Sequence, residues 1–126
     1  MVNQKPAIAT ALSTDTALIA LIPKIRMFSS IAAFTTTPTY PYLTFFVLAD
    51  SPSMFADDSE EESSITIRVD LWGTASLSVI ASHVDRIMKT IEFGRNWVGD
   101  NDEILETGEL IRHKSMSFAG NFTFVA

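Results

Sequence analysis

A chain of 126 residues holds one domain around one hydrophobic core. Its 9 Lys and Arg against 15 Asp and Glu give a net charge of −6, which excludes sequence-independent binding to nucleic acid by phosphate neutralisation. Hydrophobic residues at 47% exclude a largely disordered chain, and the absence of cysteine excludes disulfides, thiolate metal sites and a thiol nucleophile. Charged residues are 19%, below the roughly 25% of an average soluble domain, and mean hydropathy is +0.22. Such a surface is expected to be partly covered by other subunits. No targeting or membrane-spanning segment is expected. Ala7 to Ile22 is interrupted by Ser13, Thr14 and Asp15, and Tyr42 to Ala49 is far too short to cross a bilayer. The expectation is a soluble single domain over residues 1–126.

The opening reads as helix in two pieces. Pro6 suits a first turn, and Ile8, Ala11 and Leu12 share one side. Ser13-Thr14-Asp15 breaks the helix and offers Thr14 or Asp15 as a new N-cap before Ala17 to Ile22, and Pro23 stops it. Ile25, Met27 and Ile31 then alternate weakly, as a short strand or edge. Ser29 to Pro41 carries no charge and reads as an extended loop that leans on something, with Ile31, Phe34 and Tyr40 to bury. Tyr42 to Leu48 is apolar on both faces and is expected to be covered on both. Asp50 to Ser64 reads as a loop containing Pro52 and the acids Asp57, Asp58, Glu60, Glu61 and Glu62.

The cleanest strand follows. Ile65, Ile67, Val69 and Leu71 point one way, and Thr66, Arg68, Asp70 and Trp72 the other. Gly73-Thr74 turns into the cleanest helix, whose stripe is Leu77, Ile80, Ala81, Val84, Ile87, Met88 and Ile91. Gly94 suits the position just past its end. Trp97-Val98 reads as a short strand, Gly99 to Asp102 as a turn, and Ile104 to Leu110 as another short piece. Arg112 to Val125 is one long strand or a hairpin turning at Gly120-Asn121, and periodicity leaves both open. The predicted fold class is α+β, a mostly antiparallel sheet with two main helices packed on it.

Chemistry-bearing patterns are sparse. His83 flanks a polar helix face and His113 sits between Arg112 and Lys114, so both read as solvated or hydrogen-bonded. Neither shows a metal-ligand spacing, and there is no nucleophile elbow, Walker loop or dinucleotide glycine pattern. Asp100-Asn101-Asp102 lacks the spacing and central glycine of a calcium loop. No catalytic residue, cofactor or metal is therefore expected. Arg68 and Asp70 share a strand face and read as a surface or interface pair. Tyr40, Tyr42 and Trp72 are large aromatics at strand ends, suited to packing or to an interface.

The order and spacing are familiar. A helix ending Ala17 to Pro23 (ALIALIP) precedes Tyr40-Pro41-Tyr42-Leu43-Thr44-Phe45, and a strand ending Val69-Asp70-Leu71-Trp72 runs into an amphipathic helix. Over about residues 5 to 125 this resembles the small tail-completion, or tail-terminator, proteins of long-tailed bacteriophages and phage-derived elements. The resemblance implies a β-sheet carrying two helices and a non-enzymatic virion protein at the neck end of the tail, assembled in the host cytoplasm. It implies a hexameric ring that caps the finished tail tube, stops its growth and docks the head connector, so its partners would be its own copies, the tube protein and the connector. Ile31, Phe34, Tyr40, Tyr42 and Trp72 are then candidates for the subunit or tube interface. The acidic stretch, Asp57, Asp58, Glu60, Glu61 and Glu62, becomes a candidate for the lumen, which DNA crosses without specific binding. Its plainer alternative is a solvated tip. A head-completion or adaptor ring would share this pattern. A small ligand-binding or enzymatic α+β domain would instead need a deep pocket near Trp72 and Tyr42.

Overall fold

The computed structural model describes residues 5–28, 39–56 and 59–123. The first helix breaks at Asp15. Helix α1 (Lys5–Thr14) gives way to α2 (Thr16–Leu21), with the Asp15 carboxylate accepting from the Leu18 N–H at 3.0 Å as N-cap. Thr14 instead donates its hydroxyl back to the Thr10 carbonyl at 2.7 Å. After Pro23 a single 3₁₀ turn, Lys24–Arg26, leads into β1 (Met27–Phe28). Ile31 and Phe34 lie outside the described residues.

Two long strands follow, β2 (Tyr42–Ala56) and β3 (Ser59–Gly73), and then α3 (Ser78–Thr90). The chain closes with β4 (Gly94–Asp100), β5 (Glu103–Ile104) and β6 (Leu110–Thr123). The sheet runs β1-β2-β3-β6-β4, with β5 also on β6 and only the β1–β2 pair parallel. This is the α+β architecture that the hydrophobic periods predict. Ile65, Ile67, Val69 and Leu71 share one core with Leu77, Ile80, Val84, Ile87 and Met88 of α3, and with Ile8, Leu12, Leu18 and Ile22 of the first two helices. Each large side chain so buried contributes on the order of 1.5–3 kcal/mol. Ile91, at the end of the stripe, is only half-buried.

Several expectations change. Asp50 to Ser64 is not a loop: β2 and β3 pair from Asp50↔Ile65 out to Ala56↔Ser59, leaving only residues 57 and 58 between them. Acids, serines and a proline are poor strand formers, but the register already set at Tyr42↔Trp72 extends outward through irregularities at Pro52/Met54 and Met54/Phe55. Among the described residues β1 flanks β2 only at Leu43 and Thr44, so Pro52 stands on an edge, where proline is tolerated. Coverage of β2 on both faces holds for Leu43, Thr44 and Phe45 but fails beyond them, Val47 and Leu48 being 40% and 54% exposed. The 15 residues of β2 span about 50 Å, whereas the 13 residues of α3 reach about 20 Å. The strands outrun the helices, and a bulge between Val47 and Ala49 marks the change.

Gly94 does not cap α3. Glu92 takes the left-handed position at φ 69°, donating to the Lys89 carbonyl while the Phe93 N–H donates to Met88 at 3.0 Å. Phe93 and Met88 are both buried beside this closure, the apolar contact that accompanies such a cap. Gly94 is thereby free to open β4. Gly120 and Asn121 do not turn either: they pair with Ile65 and Ser64 within one continuous β6. The glycine is needed for close approach, because a Cβ there would lie 2.7 Å from the Glu92 carbonyl oxygen.

Candidate assembly surfaces

The sheet face turned away from the helices carries the residues that alternate with the core. Register places Tyr42 opposite Trp72, and Trp72 opposite His113, on three adjacent strands. Their rings stack, with centroids 4.9 Å apart for Tyr42–Trp72 and 4.5 Å for Trp72–His113, and planes within 16° and 9°. Tyr40 extends the stack at 5.5 Å, and Phe28 meets Tyr42 edge-on at 6.3 Å. Burial pushes the Tyr42 hydroxyl up to about 12, with Tyr40 and the Glu103 carboxylate adding to the rise, so it stays protonated at neutral pH.

The next row along the strands is polar and buried. Asp70 is 4% exposed and accepts from Arg68 Nε at 3.2 Å and from the Ser115 hydroxyl, with His113 Nε2 at 3.0 Å. Arg68 also donates to Ser115 Oγ at 3.0 Å and is the partly exposed end of the network. Serine, histidine and aspartate here do not form a charge relay. That arrangement needs the carboxylate on one ring nitrogen and the hydroxyl on the other. In this cluster Asp70 and Ser115 both face Nε2 of His113, and Ser115 gives its proton to Asp70. The network satisfies a buried carboxylate and fixes the orientation of the stack above it.

Of the predicted interface residues, Tyr40, Tyr42 and Trp72 thus come together. Ile31, Phe34, Asp57 and Asp58 lie outside the described residues, while Glu60, Glu61 and Glu62 fall on the outer end of β3. The Arg68–Asp70 pair forms as the strand spacing predicts. His113 was not legible as its partner, because only the β3–β6 register brings them together. Asp100 is used in an ion pair with Lys114 at 2.9 Å, and Asp102 accepts from the His113 backbone N–H at 3.2 Å. A cleft of about 300 Å³ lies on the helix side instead of beside Trp72, lined by Ala9, Leu12, Ser13, Lys24, Met27, Phe28 and Phe45.

Large apolar side chains are exposed at several points, most of all Ile25 at 82% and Ile104 at 76%. No helix among the described residues is long and apolar enough to cross a membrane.

No known family profile matches the sequence, and no curated protein matches it. Among solved structures it is similar to a chain in the virion of a native gene transfer agent (GTA) particle, with a TM-score of 0.58. The two are 12% identical, and the match covers 95% of this chain and 94% of the other. The likeness is one of fold, nearly end to end.

Proposed function

We propose that this chain is a structural protein of a phage-like virion, a ring on the end of the tail tube that stops its growth and receives the head connector. The observation that carries this is the near-complete match of both chains in fold, with a partner drawn from a virion particle. The sequence order around Tyr40-Pro41-Tyr42 and Val69-Asp70-Leu71-Trp72 supports the same assignment. A ring of six suits a tube end, whose rotational symmetry requires one contact repeated until it closes. Tyr40 and Trp72, with Ile31 and Phe34, face neighbouring copies or the tube, and Tyr42, itself buried, is stacked against both Tyr40 and Trp72. The β2–β3 arm carries Asp57, Asp58, Glu60, Glu61 and Glu62 toward the lumen, where negative charge keeps passing DNA from gripping the wall.

Reconstruction of the assembled particle tests this. Six copies ringing the tail end support it; one copy, or none there, rules it out. Reversing the five acids to lysine tests the arm. Particles should still form but eject DNA slowly, with the defect easing at high salt. Normal ejection, or an arm on the outer wall, would leave the acids as a solvated tip.

A further inference from the structure

Two of the exposed apolar patches are flanked by charges of opposite sign. The first is the 3₁₀ turn before β1. Ile25 is 82% exposed there, with Lys24 and Arg26 on either side of it in the chain. The turn is closed by the Arg26 N–H donating to the Pro23 carbonyl at 2.8 Å, and the Arg26 guanidinium is tied to the Tyr40 carbonyl at 3.4 Å. Ile25 thus stands exposed on a hydrogen-bonded turn between two cations.

The second patch is the tip joining β5 to β6. Ile104 pairs with Leu110, and the Leu105 N–H donates to the Glu109 carbonyl at 2.9 Å. Gly108, at φ +87°, supplies the left-handed residue that the turn needs. Ile104 is 76% exposed, and Leu105 and Leu110 are 38% and 40% exposed. Glu103, Glu106 and Glu109 surround them in the sequence, all exposed. Among the described residues, none of these three acids is in an ion pair, and nor is Lys24. The two patches are complementary: apolar centre to apolar centre, and acids to cations.

The two patches also lie apart in strand order. The turn leads into β1 at one edge of the sheet, and the tip belongs to β5 and β6 toward the other. We propose that the acidic apolar tip of one copy docks on the Lys24-Ile25-Arg26 turn of the next, as the lateral contact of the ring. The contact is heterologous, so each copy offers a free patch on both sides until the ring closes. Both patches are preformed, which limits the entropy lost on docking. Opposed charges set which patch meets which and disfavour tip-to-tip pairing. The inference rests on the ring proposed above but concerns a different surface from the aromatic stack.

The chain has no cysteine, so introduced thiols report contacts without background. Ile25→Cys and Ile104→Cys sit at the two most exposed of these apolar positions. In concentrated purified protein under mild oxidation, neither single variant should cross-link with itself, whereas their mixture should give a dimer. The double variant should give a ladder that ends at six. Adding Lys24→Glu should lower the yield about tenfold, and Glu106→Lys in the same chain should restore most of it. Self-cross-linking by either single variant, a ladder running past six, or no product from the mixture would each overturn the contact. A six-membered ring seen at the tail end with no cross-link would discard this interface and leave the proposed function standing. Closed cross-linked rings in solution with no ring on the particle would do the reverse.

Discussion

Replacing Gly120 with alanine would push a methyl group into the backbone that closes α3. The added carbon would lie 2.7 Å from the Glu92 carbonyl oxygen and 2.9 Å from the Phe122 ring. The first distance is about 0.7 Å short of ordinary contact, and the obstacle is main chain, not a side chain that can swing away. Overpacking of this kind costs about 1–3 kcal/mol. Alanine recovers about 0.5–1 kcal/mol relative to glycine in a strand, since it loses less chain entropy on folding. The expected net loss is about 1–2 kcal/mol, read as a lower guanidinium midpoint at unchanged slope and a melting temperature lower by about 5 °C or more. Gly94→Ala is the control. Nothing lies within 4 Å of its added carbon, so stability should stay within about 0.5 kcal/mol. In a Glu92→Gly background the carbonyl can shift more freely, and Gly120→Ala should cost less there. A Gly120→Ala protein as stable as the parent would refute the close approach of β6 to the α3 closure. A large loss from Gly94→Ala would return the capping role to Gly94.

Val84→Asp places a carboxylate at a fully buried position of the α3 stripe and should abolish cooperative unfolding or solubility; an unchanged melt would contradict the packing of α3 on β3. Asp15→Asn should weaken the tie between α2 and α3. The side-chain hydrogen bonds from Arg86, then the Leu18 N–H, lower Asp15 from 3.8 to about 2, so its contribution is present above about pH 4 and lost as pH falls through about 2. Parent and variant should therefore differ at neutral pH and converge in acid, and a constant gap down to pH 2 would count against the pair. His113→Gln removes a ring from the stack and alters a donor to buried Asp70, and should cost about 1–2 kcal/mol in a denaturant melt. His83→Gln, at a half-buried position of α3 whose Nδ1 lies 3.1 Å from Arg86, should cost no more than about 0.5 kcal/mol.

The sequence showed most clearly what a single period can encode. The alternation from Ile65 to Leu71 and the stripe from Leu77 to Ile91 locate β3 and α3, because one buried face dictates each pattern. The outer halves of β2 and β3 were hidden for the opposite reason: their residues are poor strand formers, and their pairing is inherited from Tyr42↔Trp72. The helix closure at Glu92 was obscured because a non-glycine residue takes the left-handed position and a nearby glycine does something else. In the candidate surfaces, Tyr40, Tyr42 and Trp72 were visible as aromatics at strand ends. Their neighbours His113 and Ser115 were not, since they lie more than 40 residues away from Asp70 and meet it only through register.

The rings of Tyr42, Trp72 and His113 stand at one level across three strands, and this makes them an alignment pin. Sliding β2 or β6 by one residue would turn Tyr42 or His113 toward the aliphatic side of the sheet and take apart the stack and the Asp70 network together. The arm beyond Asp50 starts from strands whose offset is already settled. Its aim is therefore decided at its root. Substitutions along the arm can change charge without changing where it points, and matched lengthening of both strands would extend its reach along the same line.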